Sequence, residues 1–150
     1  MIIVIADTSG LQAALGSAHP EHRAANEAIM AAGLLVMSPL LPAALDHVAT
    51  RELGREAAVS AVDDLRRWMS LGRVVLPGIT EDHLGAAQSV RVRHRALDLD
   101  PADAVNVALA ADHDTDAILT LDRRDFRAVR PLGRYKEFRV LPDDPDDLPL

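Results

Sequence analysis

The sequence predicts an α/β fold, a three-layer α/β/α sandwich around a mainly parallel central sheet. Three observations predict it. The run at 2–6 is continuous rather than alternating, the pattern of a strand buried on both faces, and further short apolar runs stand at 34–37, 117–121 and 138–141. Between them lie amphipathic stretches of about 10–15 residues with helix start and stop signals, which implies parallel βαβ units. A chain of 150 residues with 49% apolar side chains is long enough for one domain around a sizeable core.

Each element follows from local chemistry. The run Ile2 to Ala6 is rich in β-branched residues and forms the first strand. A helix is expected over 20–32, with Pro20 at its start and Gly33 at its end. After the strand at 34–37, Ser38-Pro39 opens a helix to about Leu53, closed by Gly54. A further helix spans 56–71, with Gly72 as its stop, and 73–76 forms a short strand. A Pro-Gly turn leads to a helix over 81–93. Asp100-Pro101-Ala102-Asp103 is a helix start, with an Asp cap, Pro in the first turn and an acid complementing the dipole. Its apolar stripe runs through Ala104, Val107, Ala108 and Ala111. Strands at 117–121 and 138–141 complete the sheet.

Composition excludes several classes. There is no cysteine, which removes disulfide scaffolds, thiolate catalysis and sulfur-ligated zinc. The opening apolar run is too short to span a bilayer and has no basic region before it, so a cytoplasmic protein without a membrane partner is expected. The 23 acidic against 16 basic residues give a formal charge of −7, ordinarily an argument against nucleic acid. That charge is uneven. Without the four Asp of residues 142–150 it falls to −3, and this acidic, Pro-rich end is expected to be a frayed tail behind a domain of residues 1–141. Of the basic residues 15 are Arg, which suits bidentate phosphate binding but also follows from genome base composition.

Ligands of open parallel sheets bind at the carboxyl ends of the strands. Asp7 leaves the first strand, Asp122 follows the 117–121 strand, and Asp103 lies one turn into a helix whose start reaches the same edge. Each acid alone also reads as a cap or a dipole-complementing surface group. Their joint placement favours one shared site, and clustered carboxylates need a cation, for which oxygen ligands select Mg²⁺ or Mn²⁺. Thr8, Ser9, Asn106 and Thr120 stand in supporting positions; for Ser9 and Asn106 ordinary capping or solvent contact competes with that role.

The stretches Asp7-Thr8-Ser9, Asp103 through Ala110, and Ile118 through Phe126 resemble the signature segments of PIN-domain ribonucleases, in particular the VapC-type toxins of VapBC toxin–antitoxin modules. The resemblance implies a Mg²⁺-dependent endoribonuclease that leaves 5′-phosphate and 3′-hydroxyl ends. It also implies catalytic and metal-binding roles for Asp7, Asp103 and Asp122, and partnership with a VapB-type antitoxin. One departure stands out. The family's Glu after the second strand falls on Ala44, and a further acid falls near Ala96, where Asp98 or Asp100 is a substitute. Ala44 reads as an inactivated or weakened toxin. Asp46 is the competing source of the carboxylate, but two residues along a helix point roughly 200° apart.

Other features divide between readings. Arg91, Arg93, His94 and Arg95 form a basic run, either an RNA contact or a solvated helix end. The helices over 39–71 carry more apolar residues than two short elements need, which points to a homodimer face or an antitoxin groove. Trp68, Val62, Leu65 and Met69 at helical spacing are core or interface residues. A non-catalytic PIN-like module that binds RNA or a partner is the rival reading. A dehalogenase-type phosphatase is disfavoured by Ser9 where its second Asp belongs, and a receiver domain by the position of the single Lys136. No Gly-rich phosphate loop or dinucleotide fingerprint occurs.

Overall fold

A computed structural model describes residues 2–145. The elements, in chain order, are β1 (Ile3–Ala6), α1 (Thr8–Leu15), α2 (His22–Ala31), β2 (Leu34–Met37), α3 (Leu41–Leu53), α4 (Arg55–Ser70), β3 (Val74–Val75), α5 (Glu81–Arg93), α6 (Pro101–Asp112), β4 (Ala117–Leu119), α7 (Arg123–Ala128) and β5 (Arg139–Leu141). The five strands pair in the order β3-β2-β1-β4-β5, and every pairing is parallel.

Alternation along the strands builds two cores. Val4, Ala6, Leu35, Met37 and Leu119 face one side, where they pack with Leu11, Leu45 and Leu65 of α1, α3 and α4. Ile5, Val36, Ile118 and Val140 face the other, against Val90, Leu109 and Phe126 of α5, α6 and α7. Two covered faces explain why β1, β2 and β4 read as unbroken apolar runs. Helix α6 is buried from Ala104 to Ala110, so it runs through the second layer rather than over it. Phe126 and Phe138 meet edge to face at 6.0 Å in the same layer. On the opposite face, Leu65 is core while Trp68 and Met69 of α4 pack half-buried against it.

Some boundaries differ from expectation. The 117–121 strand ends at Leu119, because Thr120 and Leu121 turn away to reach α1 and α7. Ser38-Pro39 precedes α3 rather than opening it; the Ser38 hydroxyl accepts from the Leu40 N–H at 3.2 Å, and Pro42 sits in the first turn. The stretch 123–128 is helical, and only six residues long, too short to show a period in the sequence. Of the acidic end at 142–150, residues 142–145 are described: Asp143 pairs with Arg123, and Asp144 with Arg127. The remaining tail, 146–150, lies outside the described residues. Among the described residues, no helix is long and apolar enough to cross a membrane.

Candidate active site

The strand order sets the site's place. From β1 the chain moves to β2 on one side, and from β4 it moves to β5 on the other, so the crevice opens between the exits of β1 and β4. Asp7 leaves β1 there, and Asp122 follows β4 at the start of α7. The Asp7 N–H donates to the Leu119 carbonyl at 3.0 Å, which ties the two exits together.

Asp7 is buried and does not use its carboxylate as a helix cap. Its Oδ2 accepts from the Thr120 hydroxyl at 2.7 Å and from the Ser9 hydroxyl at 3.1 Å; its Oδ1 accepts from Asn106 Nδ2 at 3.4 Å. The same two hydroxyl oxygens accept from backbone: Thr120 Oγ1 from Asp122 N–H at 3.0 Å, Ser9 Oγ from Leu121 N–H at 2.9 Å. Each hydroxyl has one proton and spends it on Asp7, so each has one direction of donation and one of acceptance. The network thereby fixes the β4–α7 connection against Asp7 through Ser9 of α1 and Thr120 at the exit of β4.

Asp103 sits in the first turn of α6. Asp100 Oδ1 accepts from the Asp103 N–H at 2.8 Å, and Asp103 Oδ2 from the Asp100 N–H at 3.3 Å, a reciprocal capping box. The dipole-complementing role expected of Asp103 is therefore realised with one oxygen, and the other stays outside the box. Arg91 holds the loop that delivers this helix start, with Nε donating to the Leu99 carbonyl at 3.0 Å. Its guanidinium is thus partly committed inside the fold rather than standing free at a solvated helix end.

Electrostatics show that the acids share one space. Burial first, then the charges of Asp7, Asp100 and Asp122, push the Asp103 carboxyl up to about 8. Asp7 is raised chiefly by burial, with the Asp100 charge adding to it and the Thr120 and Ser9 hydrogen bonds opposing it. Asp122 is raised by burial, then by neighbouring Asp125, and by Asp7. The three predicted acids, from three separated stretches, are thus brought within each other's fields, and Asp100 joins them. Asp98, Asp46 and Ala96 are exposed, whereas Ala44 is half-buried in the first turn of α3, a helix that leaves the same sheet edge. No acid occupies its position.

The donor set fits a hard divalent cation. It is oxygen only, its carboxyls are raised by burial and by one another's charge, which a cation would relieve, and Asn106 Oδ1 is buried without a hydrogen-bond partner. The amide's orientation is set by Nδ2 donating to Asp7, so the orphan is an acceptor, as a cation or a metal-bound water requires. As the side chains stand, no three His, Cys, Asp or Glu among the described residues converge tightly enough to enclose one ion, consistent with carboxylates that repel.

Two contributors escaped the sequence reading. A Cβ on Gly10 would lie 2.4 Å from the Leu119 carbonyl oxygen, so only glycine lets α1 bring Ser9 against β4. Its signal was a glycine in the first turn of a helix, where it costs stability relative to alanine. Asp125, buried beside Asp122, carried no signal beyond its acidity.

A family model of the PIN domain matches residues 4–131. The chain belongs to the PIN-domain family. This PIN domain is 35% identical over 140 residues to Ribonuclease VapC26 of Mycobacterium tuberculosis, covering 93% of the chain and the relative's whole length, which places it among the VapC-type members. Its fold is also that of two solved structures. VapC20 of M. tuberculosis, described as a sarcin–ricin-loop cleaving toxin, superposes with a TM-score of 0.69 at 20% identity over 81% of this chain and 91% of that one. VapBC2 from Rickettsia felis, bound to a DNA fragment from its promoter, gives 0.63 at 14% identity over 88% and 96%.

Proposed function

We propose that this PIN domain is a metal-dependent endoribonuclease toxin, held in check by a VapB-type antitoxin and weakened by Ala44. One observation carries the reading: Asp7, Asp103 and Asp122, from three separated stretches, lie within one another's fields at the crevice between β1 and β4. These three would hold Mg²⁺, or Mn²⁺, with Asn106 Oδ1 as a further buried oxygen that has no hydrogen-bond partner. When bound, the ion supplies a water of lowered pKa and neutralises charge on the scissile phosphate. The chain's own residues do the rest. Thr120 and Ser9 donate to Asp7 and oppose the burial that raises its carboxyl, while Asp100 fixes the α6 start that presents Asp103. The name of the VapC26 relative supports a ribonuclease, and the antitoxin partner is drawn from the VapBC neighbour.

An apolar cleft of about 320 Å³ between α1, α3 and α4, lined by Leu15, Leu45, Ala49, Leu53 and Ala61, supports a protein partner on the 39–71 helices, either the antitoxin or a second copy. The rival reading, a non-catalytic module, draws on Ala44 alone. Calorimetric titration with Mg²⁺ or Mn²⁺ and mapping of RNA fragment ends separate them. Binding lost in Asp7→Asn, with 5′-phosphate fragments from the parent chain, supports the nuclease. No binding and no cleavage leaves the module.

A further inference from the structure

The arginines that follow Asp122 are held by the acidic turn that ends the sheet. Arg123 and Arg127 stand one turn apart on α7. Arg123 donates Nε and Nη2 to Asp143 at 2.5 and 2.9 Å, and Nη1 and Nη2 to Glu21, the former at 3.3 Å. Arg127 donates Nη1 and Nη2 to Asp144 at 3.0 and 2.8 Å. Both carboxylates of the turn are thus gripped fork to fork. The parallel sheet puts this turn at the site's edge, since the Leu141 carbonyl just before it accepts from the Thr120 N–H at 3.0 Å. Asp144 is seated there by its own bonds to Val140: its N–H donates to the Val140 carbonyl at 2.8 Å, and its Oδ2 accepts from the Val140 N–H at 3.0 Å.

We propose that Arg123 and Arg127 are a binding pair for RNA backbone phosphates, and that Asp143 and Asp144 mask it by occupying the forks that phosphates would take. The inference rests on the ribonuclease reading above. Carboxylate and phosphate present the same bidentate acceptor to a guanidinium, so one displaces the other without rearranging the fork. The pair sits within five residues of Asp122, where the backbone on either side of a cleaved bond must pass. The arginine side chains are 34% and 48% exposed, so the pairs are wet enough to exchange. Glu21 keeps Arg123 in place when Asp143 lets go, whereas Arg127 depends on Asp144 alone among the contacts described.

The test is fluorescence anisotropy with a labelled RNA hairpin and the full chain, in Ca²⁺, across about 50–300 mM salt. The D143N/D144N variant is expected to bind about 3- to 10-fold more tightly, because no ion pair has to be broken first. Its salt dependence steepens by about 1.4, as two new phosphate contacts release counterions that the masked parent does not. Adding R127Q takes back about half of that gain in slope. Where D144N loosens the Val140 turn, D143N alone still frees the Nε side of the Arg123 fork, which Glu21 leaves open, and should show about half the effect. Equal or weaker binding by D143N, with an unchanged salt slope, overturns the masking and leaves the nuclease standing. Absence of RNA binding by parent and variants alike overturns both.

Discussion

Gly10 lies directly against the carbonyl of Leu119, where a Cβ would stand 2.4 Å from the oxygen. That contact sets how closely α1 approaches β4, and through Ser9 it sets the anchoring of the loop leading to Asp122. Gly10→Ala is therefore expected to destabilise the fold by about 1–3 kcal/mol, the range for overpacking against a neighbour that cannot yield. Helix propensity alone pushes the other way by about 1 kcal/mol. Urea unfolding decides between them, and a stabilised variant would refute the close-packing argument.

Thr120 is fully buried and joins Asp7 to the Asp122 backbone through one hydroxyl. Thr120→Val keeps the shape and removes both bonds. The Asp7 carboxylate loses its shortest donor and the Asp122 N–H its acceptor, at a cost of about 1–3 kcal/mol for each group left unpaired. The Asp7 carboxyl should also rise further, since the opposing hydrogen bond is gone. Weaker Mg²⁺ binding together with lower stability is the expected pair of outcomes. Thr120→Ser, which keeps the hydroxyl, should restore metal binding.

The site makes the metal-free chain sensitive to pH in a defined direction. Asp103 has an ordinary value of 3.8 and is pushed to about 8 in the fold, by burial and then by Asp7, Asp100 and Asp122. Between those values the folded chain holds a proton that the unfolded chain has lost, so stability must fall as pH rises through the window. In EDTA the melting temperature is expected to decline from about pH 5 to pH 8. Mg²⁺ replaces the proton, so the rise in melting temperature it causes should be larger at about pH 8 than at pH 6. Asp103→Asn should flatten the decline and abolish the Mg²⁺ response. A melting temperature that climbs across this range would contradict the shared site.

Much of this was legible in the sequence, for physical reasons. The apolar runs announced a sheet covered on both sides, and the acids at strand ends and at the α6 cap announced carboxylates that come within one another's fields. Asp100-Pro101-Ala102-Asp103 even specified its own capping box. What stayed hidden depends on distances between remote residues. The need for Gly10 arises from a backbone over a hundred residues away. Arg91 read as an RNA contact or a solvated end because nothing local shows that the Leu99 carbonyl awaits it. Helix α7 fell below the length at which periodicity speaks, and Asp143 and Asp144, grouped with a frayed tail, proved to have partners on it. Charge counting along a chain cannot see such pairing.

Ala44 offers the sharpest functional prediction. It is half-buried in the first turn of α3, which leaves the same sheet edge as Asp7, and no acid stands in for it: Asp46 is exposed. Ala44→Glu adds one carboxylate to a group already raised by burial and by mutual repulsion, so the metal-free variant should melt lower than the parent, and Mg²⁺ should restore more than that loss. Mg²⁺-dependent RNA cleavage should rise about 10–100-fold, the scale on which one group supporting a metal site acts. Asp46→Asn, carried in parallel, should change neither property. If Ala44→Glu cleaves no faster than the parent, the missing acid is not what limits this chain. If Asp46→Asn abolishes a cleavage that the parent performs, the carboxylate has moved two positions along the helix after all.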